Sequence, residues 1–365
     1  MNDISNPDSN MPVEVKVSRL AIIAISLAFC GLLYILILPL SLFSLLIFRL
    51  GILFYYLSNI LLVSAIILGI ISMIRINLSG GRKTGHGFAL GAIIIPLATL
   101  FISWMFLPLL ARINQEKYRL SCGNNLHAIG KAMLIYANDH DDKFPRSGGK
   151  ESTWGTNVNW YAENNEQAFG INSDGIGGSV TVSSFLYLLV KYAEVRPETF
   201  ICAMDRKVSK FDLLKYNKTD KDYVDFWDFG PDPWKHCSYS YYMMYGQYQL
   251  TTSSNAGMAV AADRNPWIPS CGWNAKDFAA FNPDGDRKNE YAGNSPVHFN
   301  QGQYVLYLDT HVNFENVSFC GINDDNIYTS WNGNDIRKGT KPVFGSTPAS
   351  NTDSLLVNDP FIEKP

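Results

Sequence analysis

The chain has 365 residues, of which 47% are hydrophobic and only 17% charged, with a formal net charge of −3. Its first 112 residues carry a net +4 and the remainder a net −7. The acidic balance of the larger part leaves no broad basic face for phosphates, which argues against nucleic acid as a partner. Three stretches, 20–48, 50–74 and 87–111, contain no Asp, Glu, Lys or Arg. Each exceeds the roughly 20 apolar residues that cross a bilayer, which argues against a wholly soluble chain.

In chain order, the expectation is a cytoplasmic tail over 1–19 and a three-helix membrane domain over 20–111, with helices near 20–41, 52–74 and 88–110. The first apolar stretch is far longer than a signal-peptide core and no small-x-small site closes it, so it reads as a retained anchor. Lys16 and Arg19 flank the first helix, and Arg75, Arg82 and Lys83 lie between the second and third. The positive-inside rule puts both basic groups in the cytoplasm and everything after the third helix outside. The implied localisation is multi-pass in a bacterial cytoplasmic membrane, with the lipid bilayer as first partner.

Beyond residue 111, Leu120, Leu126, Ile129, Met133 and Tyr136 fall at or near helical spacing, with Glu116, Lys117, Asn125 and Lys131 between them. This predicts an amphipathic stalk helix over 112–145 that continues the third membrane helix. It stops at Asn138-Asp139-His140-Asp141-Asp142-Lys143-Phe144-Pro145, a run of turn formers closed by proline.

Residues 146–334 are rich in Asn, Gly, Ser, Tyr and Trp. A helix is predicted at 183–193 and strands at 199–202, 238–244, 257–262, 303–308 and 312–315. The last two flank an Asp309-Thr310 corner and read as a β-hairpin. With its prolines and small polar residues, 335–365 reads as a loosely structured tail.

Two resemblances organise these elements. The stretch Ile66–Arg75 followed by Ser79-Gly80-Gly81-Arg82-Lys83-Thr84-Gly85-His86-Gly87-Phe88-Ala89-Leu90-Gly91 resembles the small membrane domains of the DUF4190 type. Further on, Leu107-Pro108-Leu109-Leu110-Ala111, Cys122, Asn125-Leu126-His127-Ala128-Ile129-Gly130 and Tyr136-Ala137-Asn138-Asp139-His140-Asp141-Asp142-Lys143-Phe144-Pro145 follow one another. That order resembles the pilin-like proteins with an H-X9-DG C-terminal domain, the DUF1559 type, relatives of type II secretion pseudopilins. The resemblance implies an extracytoplasmic α+β pilin-like domain, with a long N-terminal helix packed on an antiparallel sheet. It also implies a non-catalytic, membrane-anchored structural or assembly component of a type II secretion or type IV pilus-like apparatus, with other pilin-like subunits as partners.

The family signature maps onto His298, Asp309 and Thr310, with threonine where the family has glycine. A prepilin cleavage site would fall between Gly87 and Phe88, but Ala92 replaces the glutamate that directs filament assembly, so a retained helix is expected. Cys202 and Cys237 lie in blocks resembling the family's cysteine and Ser-Tyr segments, and the first pairing expected from this is Cys202 with Cys237.

Chemistry-bearing residues outside that frame are few. His298, Asp309 and His311 could hold a metal, or merely cap loops. Asp139, Asp141 and Asp142, and separately Asp284, Asp286 and Glu290, could hold calcium, though neither group has the order of an EF-hand loop. No nucleophile elbow, zinc-protease motif, phosphate loop or dinucleotide fingerprint is present, so no enzyme is expected and no cofactor is required. Trp154, Trp160, Trp227, Trp234, Trp267, Trp273 and Trp331 leave an alternative open: an anchored module binding glycan or another envelope polymer through aromatic loops. Coplanar exposed tryptophans would favour that alternative. An exposed apolar stripe near Leu109, Ile113 and Leu120 would favour assembly.

Overall fold

The computed structural model describes residues 16–41, 45–156, 158–205, 207–216, 220–331 and 333–361. The expected cytoplasmic tail lies outside these residues except for 16–19, as do the last four residues of the expected C-terminal tail. The chain divides into two compact units, Met1–Asn114 and Gln115–Pro365.

The first unit is helical. A short strand β1 (Lys16–Val17) precedes α1 (Arg19–Ser41) and α2 (Leu45–Asn77), and β2 (Lys83–Thr84) pairs in parallel with β1 just before α3 (His86–Asp139) begins. Small residues make the helix contacts. Ala21, Ala24, Ala28, Ala65, Ala89 and Ala92 are buried. A Cβ on Gly31 would stand 2.7 Å from Leu62, and one on Gly69 would stand 3.1 Å from the Ala89 carbonyl. The outer surface is apolar instead: Ile22, Phe29, Ile60, Ile67, Ile74, Leu90 and Phe101 are exposed. A water-facing bundle places such residues inside, whereas helices packed by small residues with branched apolar side chains outside suit hydrocarbon.

Two stretches, Tyr56–Asn77 and His86–Met105, are long and apolar enough to cross a membrane. This corrects the expectation of three such helices. In α1 the apolar stretch Arg19–Leu33 counts as a shorter apolar helix, and Gly31 packs on Leu62 of α2.

The second unit is a mixed α/β structure. A five-stranded antiparallel sheet has the order β8-β7-β6-β5-β9, from β5 (Tyr239–Tyr242), β6 (Ala259–Asp263), β7 (Gln303–Tyr307), β8 (Val312–Glu315) and β9 (Leu356–Val357). Strands β3 (Thr153–Trp154) and β4 (Ser179–Val180) form a separate parallel pair, and the helices are α4 (Asn165–Phe169), α5 (Val182–Ala193) and α6 (Arg287–Tyr291). The expected pilin-like domain with a long helix at its N-terminus is corrected as well. The 54-residue α3 starts inside the first unit, and only the part from Gln115 onward belongs to the second.

Within the second unit, Cys122, Leu126, Ile129, Met133 and Ala137 of α3 are buried in the core. Two glycines two turns apart let this face lie close to β7. A Cβ on Gly123 would stand 2.9 Å from the Tyr304 ring, and one on Gly130 would stand 2.7 Å from Leu306 Cδ1. Leu120 and Leu134, flanking the docked face, and Ile135, on the far side, are exposed. Helix α5 is buried over most of its length, from Val182 to Val190.

Two further expectations change. Residues 199–202 form no strand, because Pro197 opens a tight 3-10 turn, Pro197–Phe200. The segment 335–365 is no loose tail. Its strand β9 pairs with β5 through Tyr241↔Val357 and Tyr242↔Leu356, and Leu355, Leu356 and Val357 are fully buried. A short apolar run closed by Pro360 completes the sheet edge that β5 would otherwise expose to water.

Candidate functional site

The densest group of chemistry-bearing side chains gathers at the α3 end of the sheet. Cys122 projects from the buried face of α3. Cys202 follows the Pro197–Phe200 turn, and the Asn125 side chain holds that loop to α3 by donating to the Ile201 carbonyl at 2.7 Å. The two cysteines form a disulfide across 80 residues of sequence, with their Cα atoms 4.8 Å apart.

The expected pairing of Cys202 with Cys237 is therefore corrected. Cys237 is free and buried just before β5, with its sulfur 3.6 Å from the Tyr239 carbonyl. Burial pushes the Cys237 thiol up to about 12. The resemblance pointed to two cysteines in neighbouring blocks, but helix docking brings a third to Cys202.

His298 completes the group. Its loop turns sharply before β7, with Phe299 and Asn300 at φ 56° and 61° and the Gln301 N–H donating to the His298 carbonyl. The ring is fully buried. Nε2 stands 3.0 Å from Asp263 Oδ2 and 3.7 Å from Cys202 Sγ, and Nδ1 stands 3.0 Å from Met204 Sδ. Asp263, the last residue of β6, also accepts from the Tyr304 backbone N–H at 2.7 Å through Oδ2, while its Oδ1 is buried without a hydrogen-bond partner. Cys122, Cys202 and His298 offer ligand atoms that all lie within 4.8 Å of one another.

A buried ion pair braces the loop from behind. Arg264 Nε donates to Asp205 Oδ2 at 2.8 Å, and its guanidinium also reaches the carbonyls of Trp234 and Cys237. These extra donors matter because a buried ion pair offsets its desolvation only when its remaining polar atoms are satisfied.

The arrangement does not suit acyl transfer. A nucleophile–histidine–carboxylate relay uses both ring nitrogens, whereas here Asp263 and the Cys202 sulfur share Nε2. The donor set is instead that of a structural clamp, or of a soft-metal site once the sulfurs are free.

Other sequence-derived candidates are scattered. Asp309 does not join His298; it pairs with the ring and backbone N–H of His311 in the exposed corner between β7 and β8. That corner has the bond pattern of a three-residue loop, with the Thr310 N–H donating to Tyr307 and the Tyr307 N–H to His311. Thr310 takes φ 72°, the left-handed conformation that glycine adopts without strain.

Asp286 caps α6 by accepting from the Asn289 N–H, and Asp284 forms a two-bonded exposed ion pair with Arg337; Glu290 joins neither. Asp141 and Asp142 sit at positive φ where α3 ends, and Asp139 accepts from Asn138. Among the described residues neither acidic group gathers three ligands. Gly87 and Phe88 are exposed in the first turn of α3.

Of the seven tryptophans outside the first unit, Trp154, Trp160, Trp227, Trp234 and Trp267 are buried, and Trp273 and Trp331 are half-buried. Sequence reading missed Asp263 altogether. Its only local signal was an acid ending the apolar strand Ala259-Val260-Ala261-Ala262.

No protein-family model matches the chain, no curated protein matches it, and no solved structure matches it.

Proposed function

We propose that the protein is a non-catalytic, membrane-anchored structural or assembly component of an envelope apparatus of the pilin or type II secretion kind. The observation that carries this reading is the division of α3 within the second unit. One face is docked on β7 through Gly123 and Gly130, and beyond its edge Leu120, Leu134 and Ile135 are left in solvent. An isolated domain gains nothing from large apolar side chains held outward on a rigid helix, whereas a helix-to-helix contact with another subunit would cover them. Exposed Leu109 and Ile113 in the first unit add to the same reading. The two stretches able to cross a membrane supply the anchor.

The test is site-specific photo-cross-linking in native membranes, with the probe at Leu120 or Leu134. The expected result is a discrete higher-mass adduct from these positions and none from exposed Tyr161. A chain that stays monomeric from every α3 position would overturn the proposal.

A second reading rests on one cleft of about 970 Å³ lined by Trp160, Tyr161, Asn159, Gln167, Trp234 and Ser179 among others. Aromatic faces beside amide and hydroxyl groups suit a glycan. Only Tyr161 of its four aromatic residues is exposed, at 50%, so the stacking surface is small. Glycan-array binding abolished by Tyr161→Ala would establish this role in place of the first.

A further inference from the structure

We propose that Cys122, Cys202, His298 and Asp263 form a zinc-binding site open only to the reduced chain, so that the metal and the Cys122–Cys202 disulfide exclude one another. The argument begins with donor type. Two thiolates, an imidazole and a carboxylate form a set of the kind that holds zinc in four-coordinate sites.

Geometry follows. With Zn–S near 2.3 Å and Zn–N or Zn–O near 2.0–2.1 Å, a tetrahedral site places its sulfur and nitrogen ligands ~3.5 Å apart and its nitrogen and oxygen ligands ~3.3 Å apart. The corresponding separations here are 3.7 Å for Cys202 Sγ to His298 Nε2 and 3.0 Å for His298 Nε2 to Asp263 Oδ2. Both edges have the spacing of ligands around one ion; Cys122, Cys202 and His298 lie within 4.8 Å of one another, while Asp263 stands outside that group and reaches it through His298. What keeps a metal out is the bond between the two sulfurs, because a disulfide sulfur carries no charge and is a poor ligand.

Two further observations fit a site better than a clamp alone. Asp263 Oδ1 is buried with no hydrogen-bond partner, an expensive way to hold a carboxylate if its only task is to orient a histidine. His298 also directs one nitrogen at both the sulfur and the carboxylate, so an ion at that nitrogen would meet the sulfurs as they stand and the Asp263 carboxylate after a small shift toward them. All four residues are 0% exposed, which means that metal enters when the reduced chain folds or opens, not by diffusion into the closed core.

The chemistry balances as follows. The disulfide takes two electrons and two protons from a dithiol reductant, which itself becomes a disulfide. The two thiols then release two protons to solvent as Zn²⁺ binds, and His298 ligates as a neutral imidazole through an unprotonated Nε2 with its proton on Nδ1. Oxidation runs the other way, expelling the ion and restoring the bridge.

The experiment uses the full chain in detergent, purified once with its disulfide intact and once unfolded, reduced with a phosphine and refolded, each titrated with Co²⁺ as the spectroscopic probe and with Zn²⁺ as competitor. The reduced chain is expected to take one equivalent of Co²⁺ with thiolate-to-cobalt charge-transfer bands and tetrahedral d–d intensity, and zinc should displace it. The oxidised chain should give no such bands. Cys122→Ser and His298→Ala should each lose the signal, while Cys271→Ser should keep it.

If the reduced chain refolds only when zinc is present, the site is supported. No charge-transfer band in a reduced chain that is folded by circular dichroism would overturn it. So would a band that survives Cys122→Ser, or a reduced chain that zinc fails to refold. Comparing the oxidised and reduced wild type keeps the test decisive even where a variant fails to fold.

Discussion

The second unit holds two histidine–aspartate pairs, and they differ in almost every physical respect. His298 and Asp263 are fully buried, 35 residues apart in sequence, and tied to a disulfide, a methionine and a backbone N–H. His311 and Asp309 are nearly half exposed, two residues apart, and tied to each other. In the exposed pair water can replace either partner, so the contact shapes a turn and does little else. In the buried pair no water can replace a lost partner, so removing either group leaves the other with a buried polar atom to satisfy. The same two side-chain types thus make a local turn in one place and a long-range clamp in the other, and burial decides which.

Breaking the buried pair should have the largest effect. Asp263→Ala leaves His298 and the Tyr304 N–H without their acceptor, and a loss of roughly 3–5 kcal/mol is expected in chemical denaturation with the disulfide intact. A loss below about 1 kcal/mol would show that water reaches the cluster.

The next effect is a pH dependence arising from another buried carboxylate. Burial first, and then the nearby Asp359 charge, pushes Asp228 up to about 8. Asp359 itself accepts from the Val182 and Ser183 N–H groups at the start of α5, and burial raises it too. The folded chain holds a proton at Asp228 that the unfolded chain releases above about pH 4. This contribution is therefore complete below the unfolded value and is lost as pH rises to about 8. Stability should fall across that window by on the order of a few kcal/mol. Asp228→Asn should flatten the slope in melts taken from pH 5 to 8.

Smaller changes belong to the exposed corner. Thr310→Gly removes the cost of a β-branched residue at φ 72° and is expected to stabilise the hairpin by about 1 kcal/mol, read as a higher melting temperature. His311→Ala should cost only a few tenths of a kcal/mol. Slight burial opposes the Asp309 charge, but the backbone and ring N–H groups of His311 outweigh it and hold its carboxyl below the usual range. That small contribution is present above the ordinary carboxylate range and disappears as pH falls through the lowered value. A His311→Ala loss as large as that of Asp263→Ala would erase the contrast between the pairs.

Much of this architecture was legible because it is periodic and local. The charge-free stretches, the amphipathic course of α3 and the short apolar runs of β5 to β7 follow from composition and spacing within a single element. Helix α5, expected from residue 183 onward, begins at Val182 with Thr181 as its cap. Three features escaped this reading because each depends on partners distant in the chain. Residues 199–202 have strand-like composition, but Pro197 and the hydrogen bond from Asn125 hold the loop otherwise. Leu356-Val357 is too short to read as a strand until β5 offers it an edge. The first apolar stretch sets Gly31 against Leu62 of α2, a close approach that composition alone does not show.

What the sequence determined by itself was therefore local: where apolar residues accumulate, where the longer helices run, and which corner turns between β7 and β8. Tertiary structure alone decided the pairings. Cys202 could have met any of several cysteines, and His298 any of several acids. The choice of Cys122 and Asp263 follows from two glycines that let α3 lie against β7 and carry one cysteine to the end of the sheet. Spacing along a chain specifies neighbours within a helix or strand, whereas contact across 80 residues is set by how whole faces pack, and no local pattern records that.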